Sequence, residues 1–119
     1  MREILFKAKR KLDGAWVVGD LSQHKTGKKF IKLCGGSATH SFEVDENTIC
    51  QYTGLTDKNG NKIWENDVVR LPELFGSEIG QVVYLAPSFK SYCKAYGYTQ
   101  LCGEVIGNTF DNADLLKGE

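Results

Sequence analysis

Apolar and polar residues alternate over short runs along the chain, and no segment keeps the 3.6-residue period of a long helix. The runs are separated by turn-forming residues, chiefly the 13 glycines, against only 2 prolines. His40–Asp45 shows the period of a half-buried strand, and Asp13-Gly14 and Asn59-Gly60 suit tight turns. The pattern predicts roughly nine short strands, which favours an all-β barrel or sandwich.

The predicted elements at the two ends of the chain differ in kind. Strands are predicted at Ile4–Ala8 and Ala15–Val18, followed by a polar loop over Asp20–Lys28. Near the C-terminus a polar N-cap at Asp111 or Asn112 precedes a short apolar run, which predicts one helical turn. The predicted class is therefore all-β, mainly β with one short C-terminal helical turn.

The middle of the chain is rich in turns and suggests a particular β architecture. The acidic turn Glu65–Asp67 leads into Val68 and Val69, an arrangement found where strands begin in small SH3-like barrels. We expect a small SH3-like barrel element plus additional N-terminal strands. A length of 119 residues fits a single domain, 1–119, which has two candidate subregions: an N-terminal β lobe, 1–50, and an SH3-like barrel lobe, 51–119.

Charge is unevenly distributed although the formal net charge is zero. Residues 1–42 carry nine basic and three acidic side chains, a balance of +6, and residues 43–119 carry the opposite balance. Solvated charges in turns would explain this uneven charge distribution. A binding site for an anionic partner, or association between copies of the chain, would explain it as well. A homo-oligomer is therefore left open. Bulk composition does not indicate a strongly basic nucleic-acid binder.

Two sets of side chains are candidates for binding. Residues 88–97 interleave aromatic and basic side chains, a pattern typical of a binding surface and also of an ordinary amphipathic strand. The candidate partner-binding surface consists of Phe75, Phe89, Lys90, Tyr92, Lys94 and Tyr96. The candidate anion-binding set consists of Lys7, Lys9, Arg10, Lys11, Lys25, Lys28 and Lys29. Trp16, near the second set, is predicted to be a core residue.

The sequence offers little to catalysis or metal binding. His24, Cys34, His40 and Cys50 lack the close ligand pairs of zinc sites, and small buried thiols explain the cysteines better. The acidic residues of the turn-rich middle are interpreted as turn formers. We therefore expect no enzyme, no cofactor and no bound metal.

The N-terminus and the apolar runs predict a cytoplasmic protein. The apolar stretch that follows Glu3 is too short for a signal peptide, and no run approaches the length of a membrane span. Without an export signal, reduced cysteines are expected. No membrane partner is predicted.

Three segments in order resemble one family. QYTGLTDKNGNKIWENDVV, residues 51–69, resembles the central signature of the YopX-like proteins of phages and prophages. The opening MREILFKA and the closing EVIGNTFDNADLL are similar to that family's ends. Asn66 stands where the family usually has glycine, and asparagine can also adopt a positive φ. The resemblance implies a small, mostly β protein with an SH3-like barrel element, encoded in a phage or prophage genome, and it assigns no catalytic residue.

These observations lead to two functional hypotheses. The first is a non-enzymatic binding module for a phage or host protein, since small barrels bind through loops and exposed aromatic residues. The alternative is a nucleic-acid-binding accessory protein that uses the basic N-terminal residues and residues 89–96.

Overall fold

The computed structural model describes residues 5–33, 41–86 and 88–117. Within these ranges the chain forms eleven strands, two 3₁₀ helices at Glu46–Thr48 and Glu73–Phe75, and one short α-helix, so the predicted all-β class is confirmed. The chain divides into two compact units, Met1–Tyr52 and Thr53–Glu119. Each unit has its own hydrophobic cluster.

The first unit is an antiparallel sheet whose strand order is β4-β3-β2-β1-β5. Its strands are β1 Phe6–Lys9, β2 Trp16–Gln23, β3 Lys29–Leu33, β4 Ser41–Val44 and β5 Cys50–Thr56. The turn at Asp13-Gly14 connects β1 to β2 as predicted, and Gly14 has the positive φ of 76° that such a turn requires.

The core of the first unit is small and lies on one face of its sheet. Ala8, Ile31 and Val44 are almost fully buried there. They come from β1, β3 and β4, and the strand register places Ala8 opposite Val17 of β2. The partly buried side chains packed on this cluster are Phe6, Val17, Leu21 and Ile49.

The strand β2 is longer than its sequence indicates. The polar segment Asp20–Gln23 was expected to be loop, but it pairs with Lys29–Lys32 of β3. Its side chains alternate between half-buried Leu21 and exposed neighbours, because one face of this sheet meets solvent. The predicted loop is therefore wrong over its first four residues, and the turn is confined to residues 24–28.

The second unit contains the end of β5, which pairs with β6, and a five-stranded antiparallel sheet of order β10-β9-β8-β7-β11. Its further elements are β6 Lys62–Trp64, β7 Asp67–Arg70, β8 Ile79–Leu85, β9 Ser88–Cys93, β10 Gly97–Gln100, β11 Glu104–Asn108 and α1 Asp114–Lys117. The core residues are Ile63, Val69, Leu71, Val82 and Cys93.

The sheet of the second unit does not close into the predicted SH3-like barrel. Strands β7 to β10 form a meander, and β11 returns to pair with β7. In the described part of the chain β10 and β11 are the two edges of this sheet, so the sheet is open and is not a closed barrel. The physical reason lies at Gly103, whose φ of 114° turns the chain away from β10 after residue 102. The sequence predicts two strands over residues 98–102 and 104–106, or alternatively one strand bulged at Gly103, and the structure has two, β10 and β11.

The C-terminal helical turn is confirmed, but its expected cap is not. The helix α1 begins at Asp114, two residues after Asn112. The side-chain carbonyl oxygen of Asn112 accepts the backbone N–H of Asn108, and Asp111 accepts from the Asn108 side chain. These two side chains thus hold the turn after β11, and α1 packs against β8.

Candidate partner-binding surface

The exposed face of β9 and β10 carries two tyrosines side by side. The register places Tyr92 directly opposite Tyr98, and Lys90 opposite Gln100. Because alternate residues of a strand share a face, all four side chains lie on one side of the sheet. We call this set, Lys90, Tyr92, Tyr98 and Gln100, the tyrosine face. Its two rings have centroids 4.9 Å apart and are tilted by 53°.

The tyrosines of this face remain open to solvent. Tyr92 is 39% and Tyr98 57% exposed, whereas Ser91 and Thr99, which point to the other side, are 0% and 9% exposed. Ser91 fixes that other side, because its Oγ donates to the carbonyl of Cys102 at 2.9 Å and accepts the Cys102 N–H at 3.2 Å. The tyrosines are therefore held on a strand pair whose opposite face is anchored.

The six predicted partner-binding residues do not form one surface. Phe75 and Phe89 are partly buried and pack against the core of the second unit. Tyr96 meets Phe75 edge to face at 5.5 Å. Lys94 is exposed in the turn between β9 and β10. Of the predicted set, the structure places only two residues, Lys90 and Tyr92, on the tyrosine face.

The sequence reasoning missed Tyr98. The signal that could have found it is the hairpin register: a turn over residues 94–96 places residue 97 opposite 93 and Tyr98 opposite Tyr92. Tyr84 was also left out, and its ring contacts Phe89 at 5.1 Å. Val83 pairs with Lys90 and therefore lies on the tyrosine face. Because successive residues of a strand point to opposite sides, Tyr84 lies on the other side of the sheet.

Several of the predicted anion-binding side chains already contact other groups of the protein. Lys7 and Lys9 place their ammonium groups over the Trp16 ring, 4.7 and 5.4 Å from its centroid. Trp16 is half-buried beneath them, so its prediction as a core residue is wrong. The cause is the register of β1 and β2, which sets Trp16 opposite Lys9 on the solvent side.

Three other cations of the predicted set form ion pairs. Lys11 Nζ lies 3.2 Å from a carboxylate oxygen of Glu43, and Lys29 Nζ lies 3.7 Å from one of Glu46. Arg10 binds Asp13, with Nε 2.9 Å from Oδ1. Lys25 and Lys28 remain exposed in the turn between β2 and β3. The set therefore does not assemble into one uncompensated basic patch.

The Arg10 guanidinium changes the acidity of its partner. Its side-chain hydrogen bonds, together with the backbone N–H of Ala15, lower the pKa of Asp13 from 3.8 to about 2. Asp13 also binds the Ala15 N–H at 3.0 Å, so its carboxylate supports the turn between β1 and β2. The pair has a local structural role.

A cavity of about 600 Å³ opens in the second unit between residues 55–58, 70–73 and 101–104. Its best-buried acid, Asp57, accepts the backbone N–H groups of Asn59, Asn61 and Val105 at 2.9 to 3.0 Å. Burial alone would raise the pKa of Asp57, but these bonds outweigh burial and hold the pKa below its ordinary value of 3.8. Asp57 is thus an ionised structural group, and it offers no proton-transfer acid at neutral pH.

The described ranges also contain cysteine, histidine and acidic side chains outside these two sets. Cys93 and Cys102 are free thiols there, and the Cys50 thiol donates to the Thr48 carbonyl at 3.3 Å. No three His, Cys, Asp or Glu side chains of these ranges come together as metal ligands. The predictions about Cys34 and His40 fall on residues outside them. Within the same ranges, no helix has the length and apolar character that crossing a bilayer demands.

The fold and the site together define a small all-β protein with two antiparallel sheets and an exposed tyrosine pair. Its sequence matches the family model described as "YopX protein" over residues 5–117, so the chain belongs to the YopX family. The resemblance drawn from the three sequence segments is confirmed. Asn66 adopts a φ of 70° at the position where the family usually has glycine.

The chain is also similar to a solved structure, the crystal structure of protein EF1440 from Enterococcus faecalis. The two share 22% identity with a TM-score of 0.53, over 98% of this chain and 99% of the other. At this identity the likeness shows the fold alone. No functionally curated protein matches the chain.

Proposed function

We propose that the protein is a non-enzymatic binding module that docks on another protein through the tyrosine face. The observation that carries the proposal is the exposed Tyr92–Tyr98 pair on an anchored strand pair. Tyrosine is enriched among the residues that dominate binding energy, because its ring buries a large area and loses little conformational entropy. A rigid pair costs less to order on binding than two rings on a mobile loop.

The biological setting of this proposal comes from the sequence segments that define the family. We propose a phage- or prophage-encoded protein that acts in the cytoplasm of the bacterial host on a phage or host protein. The ionised and hydrogen-bonded Asp57 supports binding rather than catalysis, because it offers no proton-transfer acid at neutral pH.

The test is capture of partners from phage-infected host lysate, with and without nuclease, by the full chain and by matched variants. Tyr92→Ala and Tyr98→Ala should each weaken binding of a partner that is still captured after nuclease treatment. The expected loss is more than about 1 kcal/mol of binding free energy, roughly fivefold in Kd. Tyr84→Ala is the control, because Tyr84 is 53% exposed on the opposite side of β8. Equal capture by all three variants would exclude the tyrosine face as the binding site.

The second candidate is nucleic-acid binding, which is favoured by one observation in the first unit. Lys7 and Lys9 flank the half-buried Trp16 ring on the solvent side of the sheet, a combination suited to single strands. Such binding should weaken steeply as salt is raised. Capture that nuclease abolishes, and that Trp16→Ala reduces while Tyr98→Ala does not, would select this function.

A further inference from the structure

The two edges of the five-stranded sheet are not equivalent. On β11, the backbone N–H of Val105 is bound by Asp57 Oδ2 at 3.0 Å, so a carboxylate closes part of that edge. On β10, the backbone has hydrogen bonds to β9, and Thr99 Oγ1 donates to the carbonyl of Gln100. Among the described residues no other group bonds to the β10 backbone. Within residues 5–33, 41–86 and 88–117, the β10 edge is thus open.

Apart from its short length of four residues, the open edge lacks the usual protection against pairing. Natural proteins shield sheet edges with charged residues, proline, bulges or a covering element. The sequence of β10, Gly97-Tyr98-Thr99-Gln100, has neither charge nor proline, and its register with β9 is regular. An unshielded strand that is retained in a folded protein is suited to accept a further strand.

The charge around this edge specifies what kind of strand fits. From residue 79 to residue 103 the chain contains no acidic residue, and its two charged side chains are Lys90 and Lys94. Lys90 lies opposite Gln100 on the tyrosine face, and Lys94 lies in the turn that leads into β10. The strands β9 and β10 and the turn between them therefore carry only positive charge, although the second half of the chain is acidic overall.

We propose that β10 binds an extended acidic segment of a partner protein by strand addition. The partner's backbone would pair with the open β10 edge, and every second side chain of the partner would be acidic and lie on the tyrosine face, with its methylene groups on Tyr98 and its carboxylate near Lys90. A nucleic acid fits less well, because it has no ladder of alternating N–H and C=O groups to pair with the strand. This inference rests on the proposed function and names its partner chemistry.

The test uses nuclear magnetic resonance of the full chain with a short acetylated peptide of alternating valine and glutamate. The β10 amides that exchange freely in the free protein should become protected. A peptide of the same sequence with N-methylated alternate amides keeps the charge but cannot form the ladder, and it should bind roughly tenfold more weakly. The alternating valine–lysine peptide should also bind at least that much more weakly.

Charge reversal supplies the matched variant. The double variant Lys90→Glu and Lys94→Glu should no longer bind the valine–glutamate peptide and should bind the valine–lysine peptide instead. The β9–β10 register should stay unchanged. Equal binding of the N-methylated peptide, shifts that map away from residues 97–100, or no shift at all would overturn the inference. So would a thymidine oligomer that perturbs β10 more than the acidic peptide does.

The two proposals fail in different ways. If Tyr92→Ala and Tyr98→Ala reduce partner capture but β10 amides gain no protection, the tyrosine face binds without strand addition. If neither variant reduces capture, the proposed function fails whatever the peptides do.

Discussion

The carboxylate of Asp57 joins two parts of the second unit that are far apart in sequence. It binds Asn59 and Asn61 within the turn between β5 and β6, and Val105 at the start of β11. The sequence analysis interpreted the acid as a turn former, and the turn bonds agree with that. The bond to Val105 could not be predicted, because nothing local in the sequence shows which strand lies beside the turn.

Removing this carboxylate should destabilise the second unit. Asp57→Ala leaves three partly buried backbone N–H groups without their charged acceptor, and hydrogen bonds to charged groups contribute more than neutral ones. We expect the unfolding midpoint to fall by several degrees, measured by thermal denaturation. Glu73→Gln is the control, since Glu73 is exposed in the same cavity. An unchanged midpoint for the alanine variant would show that these bonds add nothing to stability.

The lowered pKa of Asp57 should make the stability of the protein depend on pH. Because the folded-state pKa of Asp57 is depressed, its contribution is present above the unfolded value near 3.8 and is lost as pH falls through the folded value. Acid unfolding of the wild type should therefore steepen below that pH. In Asp57→Asn this component should be absent, as measured by denaturation at a series of acidic pH values.

Asp13 allows a more direct check, because its pKa is lowered to about 2. Its side-chain carboxyl resonance should titrate near that value in carbon-detected spectra. In Arg10→Gln the midpoint should return toward 3.8, since the Arg10 hydrogen bonds are the largest cause of the shift. A titration unchanged by the substitution would assign the shift to the Ala15 N–H instead.

At the scale of elements, short alternating runs were sufficient to predict most strands. The hairpins at Asp13-Gly14 and Asn59-Gly60 were predicted because glycine and asparagine mark tight turns. The second half of β2 was not, since Asp20–Gln23 is polar and pairs on a solvated sheet. The sequence left open whether residues 98–106 form two strands or one bulged strand, because pairing partners are set by the tertiary fold and a single glycine looks alike in a bulge and in a turn.

Gly103 makes that division testable. A Cβ there would lie 3.0 Å from the Cβ of Val69, and the φ of 114° disfavours any L side chain. We expect Gly103→Ala to cost about 1–3 kcal/mol of stability in urea denaturation. Gly60→Ala has a similar positive φ with open space around its Cβ, so the difference between the variants isolates the steric contact. Equal losses would mean that contact with Val69 is unimportant.

At the scale of the whole molecule, the division into units changes how the charge asymmetry is interpreted. The first unit, Met1–Tyr52, includes Glu43, Asp45 and Glu46, so its balance of nine basic and six acidic groups is +3. Two of these acids pair with lysines of the predicted anion-binding set. The sequence predicted the asymmetry, but the compensation depends on β4 and on the turn after it, which only the fold brings to those lysines.

Separate core clusters predict a local response to core substitutions. Ile31 is fully buried in the cluster of the first unit, so Ile31→Ala should cost about 2–5 kcal/mol. Amide hydrogen exchange should accelerate most in the first unit. The counterpart is Val82→Ala, at a fully buried position of the second unit's cluster. Indistinguishable exchange patterns for the two variants would contradict the prediction.

The return of β11 to β7 has a consequence for folding kinetics. Strands β7 to β10 pair with their sequence neighbours, but β11 must close a long loop to reach β7. Closing a long loop lowers the conformational entropy of the chain before any contact of β11 forms. The local meander should therefore assemble first, and β11 should dock late. Until it docks, β7 is a second unpaired edge. The hazard of aggregation is therefore concentrated in the interval before the last strand arrives.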